Sequence, residues 1–136
     1  MIPLLEYSVT ARRISPDESR ANCKESELIL DTALAGRRDA FNPAELFLAS
    51  IAACMLKGIE RVAPMLQFSF RGVTVRLHGI RQDKPPKMLR VDYEITVETD
   101  EPDRRLELLH ENIRKFGTIS NTVAAACILE GKIIRK

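Results

Sequence analysis

The sequence predicts a single α+β domain spanning residues 1–136, and three observations predict it. A nearly continuous apolar block lies inside Asn42–Pro64, NPAELFLASIAACMLKGIERVAP, behind a helix-start signal. Two period-two runs flank a proline-bearing loop, Arg81–Lys87, as an antiparallel hairpin requires. Apolar residues at helical spacing follow Glu101 and are punctuated by Gly117 and Gly131. With 136 residues, of which 45% are hydrophobic, the chain is long enough to bury a core.

Composition narrows the function classes. The net charge of +2 comes from 21 basic and 19 acidic residues scattered in both signs, with no Trp and two Tyr for stacking, so a nucleic-acid partner is not expected. The apolar block is shorter than the roughly 20 residues that span a bilayer, so no membrane role is expected. Met1-Ile2-Pro3 is not a charged region leading into an apolar one, so no secretory signal is expected. Cys23, Cys54 and Cys127 are odd in number, far apart and without a C-x-x-C pair. That pattern suggests neither a disulfide framework nor zinc, but reduced thiols in a cytoplasmic protein with no metal or cofactor.

Taken in order, Leu5, Tyr7, Val9 and Ala11 alternate with polar residues as in a half-buried strand. Pro16-Asp17-Glu18-Ser19 signals a turn, Leu28–Leu30 a further strand, and Thr32–Phe41 a loop. Asn42 is placed to cap a helix, Pro43 suits its first position, and Glu45 is placed to reach back in a capping box. Pro64 is expected to stop this long, buried central helix. Phe68, Phe70, Val73, Val75 and Leu77 change phase at Gly72 and pair with Leu89–Val97 in a hairpin with one face in the core. Leu106, Leu109, Ile113 and Phe116 make a one-sided helix opened by Glu101-Pro102-Asp103 and ended by Gly117. A third helix is expected from Ser120 to Leu129, capped by Thr118 or Ser120 and ended by Gly131, followed by a strand at Lys132–Lys136.

Cys54 is the first candidate for chemistry. Its helical neighbours are Ser50, Lys57, Gly58 and Arg61, the least apolar stripe of the helix. Thiols near Lys or Arg ionise more easily, and the thiolate is the reactive form. The competing reading is a small buried hydrophobe, with Lys57 and Arg61 reaching to water. Arg37 and Arg38 are either a solvated pair or cations reaching toward a thiol or anion. Cys127 is either core or a second thiol, the latter requiring Cα atoms within about 7 Å of each other. Cys23 lies in a polar run and is expected to be exposed. His78 and His110 have no metal-spaced partner.

The segment Asn42–Cys54, NPAELFLASIAAC, resembles the stretch leading to the reactive cysteine in the OsmC/Ohr family, the osmotically inducible protein C and organic hydroperoxide resistance proteins. The element order agrees along nearly the whole chain. Gly117–Val123, GTISNTV, is similar to that family's second motif, where a Cys-Pro-x-Ser pattern opens the last helix. The resemblance implies an OsmC-like fold, an intertwined homodimer, and reduction of organic hydroperoxides by a peroxiredoxin-like cysteine that a second cysteine and an external thiol reductant recycle. Cys54 matches the reactive cysteine. The resolving cysteine is replaced by Gly117, the next proline by Thr118, and the family's glutamate by Ala44, with Glu45 about 100° further round the helix. The family's arginine is not placed by motif; Arg37 or Arg38 is nearest, and Arg12 or Arg13 is the alternative. The sequence thus supports a one-cysteine hydroperoxide reductase with Cys54 as nucleophile, Arg37, Arg38 or Lys57 steadying the thiolate, and Cys127 a possible second thiol. The alternative is a degenerate dimer of the same fold that binds a small apolar ligand or senses oxidation.

Overall fold

The computed structural model describes residues 2–136. The chain forms two compact units, one ending at Phe47 and the other running from Leu48 to Lys136. The first holds a three-stranded antiparallel sheet of β1 (Thr10–Ser15), β2 (Glu18–Cys23) and β3 (Ser26–Leu30). The turn at Pro16-Asp17 joins β1 to β2, and Lys24, at φ 57°, occupies the left-handed conformation in the β2–β3 turn. The alternation of Leu5, Tyr7 and Val9 does not become strand; all three are exposed, at 79%, 82% and 66%. Alternation reports an amphipathic ribbon, but a strand also needs a ladder partner, and pairing begins at Thr10↔Asn22.

The loop between β3 and the first helix is built around Asp31, which is buried. Its carboxylate accepts hydrogen bonds from the backbone N–H of Ala33 (3.1 Å) and Arg37 (2.9 Å), and its own N–H donates to Phe41 O (3.0 Å). Gly36 turns the chain with φ 86°, a conformation few side chains accept.

Helix α1 (Pro43–Leu66) opens as expected. Asn42 Oδ1 accepts from Glu45 N (2.8 Å) and Glu45 Oε1 accepts from Asn42 N (2.9 Å), a closed capping box. Its end is not where the sequence puts it. Pro64 lies inside the last turn, and the helix runs on to Leu66 before Gln67, whose φ is 51°, stops it. Phe68 N donates to Ala63 O (2.9 Å) and Gln67 N to Pro64 O (3.2 Å), the paired bonds of a Schellman ending. Nor is the helix buried on every side. Ile51, Met55, Ile59, Val62 and Ala63 form one buried stripe, while Ala53, Leu56 and Lys57 are exposed.

The second unit contains the hairpin β4 (Gly72–Gln82) and β5 (Lys87–Glu98), then α2 (Asp103–Phe116), α3 (Thr118–Ala126) and β6 (Ile128–Arg135). β5 is the central strand, antiparallel to β4 and parallel to β6. Its Val91, Tyr93, Ile95 and Val97 are buried and alternate with half-exposed polar residues, and each contributes about 1.5–3 kcal/mol of apolar burial. Phe68 and Phe70 precede β4 rather than belonging to it. On α2, Leu106, Leu109 and Ile113 are buried, but Phe116 is not.

The α3–β6 region departs furthest from expectation. The third helix begins at Thr118 with Gly117 as its cap, and ends at Ala126. Gly131 is not a helix stop but a mid-strand residue that pairs with Tyr93 in the ladder. A Cβ there would run into the Tyr93 backbone and ring, so the glycine allows the close approach of β6 to β5. The parallel pairing then requires a crossover, which α2 and α3 provide.

Candidate active site

Within the second unit, α1 lies against the α2–α3 junction. A Cβ at Gly58 would touch the Ile113 side chain at 3.5 Å, and the Arg105 guanidinium donates to Leu66 O at 2.5 Å. Cys54, one turn before Gly58, therefore faces the residue that joins α2 to α3. A Cβ at Gly117 would stand 3.3 Å from Cys54 Sγ, 3.1 Å from Ser120 Oγ and 2.9 Å from Ile113 O. Three groups thus surround one point from which a side chain is missing: the thiol, a hydroxyl and a carbonyl. Cys54 is half-buried and carries a free thiol.

Ser120 Oγ is the unusual member. The residue is fully buried, and its hydroxyl has no hydrogen-bond partner among the described residues. A buried hydroxyl left unpaired costs about 1–3 kcal/mol. Ser120 occupies the third position of α3, inside the helix, and the cap is Gly117, which offers no side-chain bond. The first-turn N–H groups of α3 have no intrahelical acceptors, and they form the positive end of the helix beside Sγ.

The remaining candidates fall elsewhere. Cys127 is the C-cap of α3, its N–H donating to Val123 O (2.9 Å). At about 1.5 Å of rise per residue, the helix puts roughly 15 Å between it and Gly117. Hence α3 carries the second thiol away from the wall of Cys54 rather than toward it, and Cys127 is not brought to Cys54. Lys57 and Arg61 are exposed on α1, and Arg38, Arg12 and Arg13 are exposed in the first unit. Arg37 is held by two carboxylates: its guanidinium donates to Asp39 (2.9 and 2.8 Å) and Glu18 (2.9 Å). These partners raise its pKa further, and Arg37 together with Arg20 holds Glu18 below the usual carboxylate value. Glu45 is engaged in the capping box, and Ala44 leaves its own position without a carboxylate. Cys23 is half-buried on β2 rather than exposed.

His110 belongs to a separate network. Arg114 donates to Tyr93 Oη (3.0 Å), and Tyr93 Oη meets His110 Nε2 at 2.5 Å. The phenol oxygen thus bridges the guanidinium and the imidazole. Burial, reinforced by Arg114, lowers the His110 pKa below its ordinary 6.5. His78 is exposed on β4. No group of three His, Cys, Asp or Glu among the described residues is placed to hold a metal ion. None of their helices is long and apolar enough to cross a membrane.

Ser120 is the site residue that sequence reasoning missed. Its signal was its place three residues after Gly117, in the position of the serine of the Cys-Pro-x-Ser pattern. A preference for capping explained it well enough to conceal its burial.

The family model described as OsmC-like protein matches residues 36–130. No protein with a curated description matches the chain. Among solved structures, the chain is similar to an OsmC-like protein from Mycoplasma pneumoniae, with a TM-score of 0.88 and 16% identity over 96% of this chain and 97% of that one. It is also similar to the organic hydroperoxide resistance protein OhrB of Bacillus subtilis, with a TM-score of 0.71 and 17% identity over 96% and 99%. A third is an organic hydroperoxide resistance protein from Elizabethkingia anophelis, with a TM-score of 0.74 and 17% identity over 100% and 99%. At these identities the likeness is one of fold.

Proposed function

Because this chain belongs to the family of OsmC-like proteins, we propose that it reduces organic hydroperoxides through Cys54 as a one-cysteine enzyme. The observation that carries the proposal is the free Cys54 thiol 3.3 Å from the place where a side chain at 117 would begin. The position that matches the family's second cysteine stands over the thiol, and in this chain it holds no sulfur. The nucleophile is retained and its internal resolving partner is not.

The Cys54 thiolate attacks the distal oxygen of ROOH; an S–O bond forms, the O–O bond breaks, and two electrons pass from sulfur to the peroxide. The peroxide proton leaves with the alkoxide as ROH, and Cys54 becomes a sulfenate. A small external thiol, R′SH, then displaces the oxygen as hydroxide to give a mixed disulfide. A second R′SH releases Cys54 and R′SSR′. The positive end of α3 faces the charge at Sγ in each anionic state. Lys57, one turn after Cys54 on α1 and exposed, is the cation assigned to steady the thiolate, since Arg37 is already occupied by Glu18 and Asp39.

A homodimer is part of the same reading. The exposed Leu5, Tyr7 and Val9 support it, because a second copy would cover apolar surface that water otherwise meets. The lack of an internal resolving sulfur also favours a second reading, oxidation sensing without turnover. Peroxide consumption by the reduced protein with excess small thiol separates the two. Repeated turnover that disappears in Cys54→Ser supports the reductase, one equivalent consumed per thiol supports the sensor, and no consumption overturns both.

A further inference from the structure

We infer that the Ser120 hydroxyl is the hydrogen-bond donor for the oxygen that Cys54 acquires on oxidation, so that the site is built to hold a sulfenate rather than to condense it into a disulfide. The inference rests on the hydroperoxide reading above and adds a residue and a preferred oxidised state to it.

In the reduced protein Ser120 Oγ is fully buried and makes no hydrogen bond among the described residues. Such a group costs free energy in that state, and a state that supplies an acceptor removes the cost. The point where a side chain at Gly117 would begin lies between the two groups, 3.1 Å from Oγ and 3.3 Å from Cys54 Sγ, and 2.9 Å from Ile113 O. Hydroxyl and sulfur do not bond to each other directly. An oxygen carried on Sγ toward Gly117 enters the space between them and comes within reach of the hydroxyl. A sulfenate oxygen is an anionic acceptor, and hydrogen bonds to charged acceptors are about twice as strong as neutral ones. The other polar group at the site, Ile113 O, is an acceptor and has no proton to offer, which leaves Ser120 as the side-chain donor. A cysteine at 117 would take the sulfur to a disulfide; glycine offers no thiol to compete with the Ser120 hydroxyl for the oxidised sulfur.

The test uses the full chain, reduced, treated with one equivalent of an alkyl hydroperoxide without added thiol. Cys54 sulfenic acid is trapped with a cyclic dione at intervals and read by mass spectrometry, for the natural protein and for Ser120→Ala. The sulfenate is expected to persist in the natural protein and to decay about tenfold faster in Ser120→Ala, the factor that one modest charged hydrogen bond represents. Melting temperatures give a readout that a merely structural role would not move. Reduced Ser120→Ala should melt at or above the natural protein, because an unpaired buried hydroxyl is gone, whereas oxidised Ser120→Ala should melt below its oxidised counterpart. Equal lifetimes, or equal shifts in both oxidation states, overturn this inference and leave the reductase standing. Absence of sulfenic acid on Cys54 in the natural protein overturns both.

Discussion

Gly117→Cys should create a disulfide with Cys54. The backbone at 117, with φ −84° and ψ 111°, admits any residue, so no conformational strain opposes the change. The new Cβ would begin 3.3 Å from Cys54 Sγ, against about 3.0 Å between a Cβ and its partner's sulfur across an S–S bond of about 2.04 Å. Closing a loop of about sixty residues removes roughly 4 kcal/mol of unfolded-state entropy. Crowding subtracts from this, since the Cβ would lie 2.9 Å from Ile113 O and 3.1 Å from Ser120 Oγ, at a cost of about 1–3 kcal/mol. The net gain is therefore about 2 kcal/mol, or roughly 5–10 °C in melting temperature. The assay oxidises the variant with one equivalent of alkyl hydroperoxide, maps the linkage by mass spectrometry, and compares melting with and without reductant. Gly117→Ala measures the crowding alone. A linkage between Cys54 and the introduced thiol, with a reductant-sensitive rise in melting temperature, is the expected result. Sulfenic or sulfinic Cys54 beside an unlinked thiol at 117 would refute the placement of Gly117 over Cys54, and with it the reading of the site.

The geometry sets three further outcomes. Asn42→Ala opens the capping box and should cost about 0.5–2 kcal/mol by chemical denaturation, with Glu45→Ala costing less because the N–H it releases, that of Asn42, lies outside the helix. Gln67→Gly relieves a left-handed residue at the end of α1 and should stabilise the protein by about 0.5–1 kcal/mol; destabilisation would mean that the Gln67 side chain contributes something the backbone bonds do not. Since burial lowers the His110 pKa in the folded chain, the unfolded chain takes up its proton first as pH falls. Stability should therefore decline as pH drops through about 6.5 and level off below the folded value. His110→Gln should flatten that decline, and an unchanged slope would remove His110 as its cause.

What is legible in the sequence is what short-range chemistry decides. Asn42 and Glu45 announce the start of α1 because both partners of the capping box are three residues apart. The end of α1 is not announced in the same way. Pro64 forfeits only its own hydrogen bond in a last turn, while the stop is a backbone conformation at Gln67 that its side chain does not advertise. The same limit applies to Leu5, Tyr7 and Val9, whose alternation is real but whose ladder partner is not encoded locally. Gly131 looks like punctuation, yet its absent side chain answers to Tyr93 on a neighbouring strand. At the site, Cys54 is visible through its motif and the loss at Gly117 through the second motif. Ser120 is not, because being buried and unpaired depends on the closing of α3 against α1, which no local pattern records.

The parallel crossover that carries Gly117 has a consequence for biosynthesis. Cys54 leaves the ribosome about sixty residues ahead of Gly117 and Ser120, the residues that stand beside its thiol. Contacts of such sequence separation are among the slower ones to form. During each round of synthesis the thiol is therefore presented to the cell's oxidants before its donors and its cover exist. Oxidation of Cys54 in nascent chains should consequently rise when translation is slowed under oxidative load.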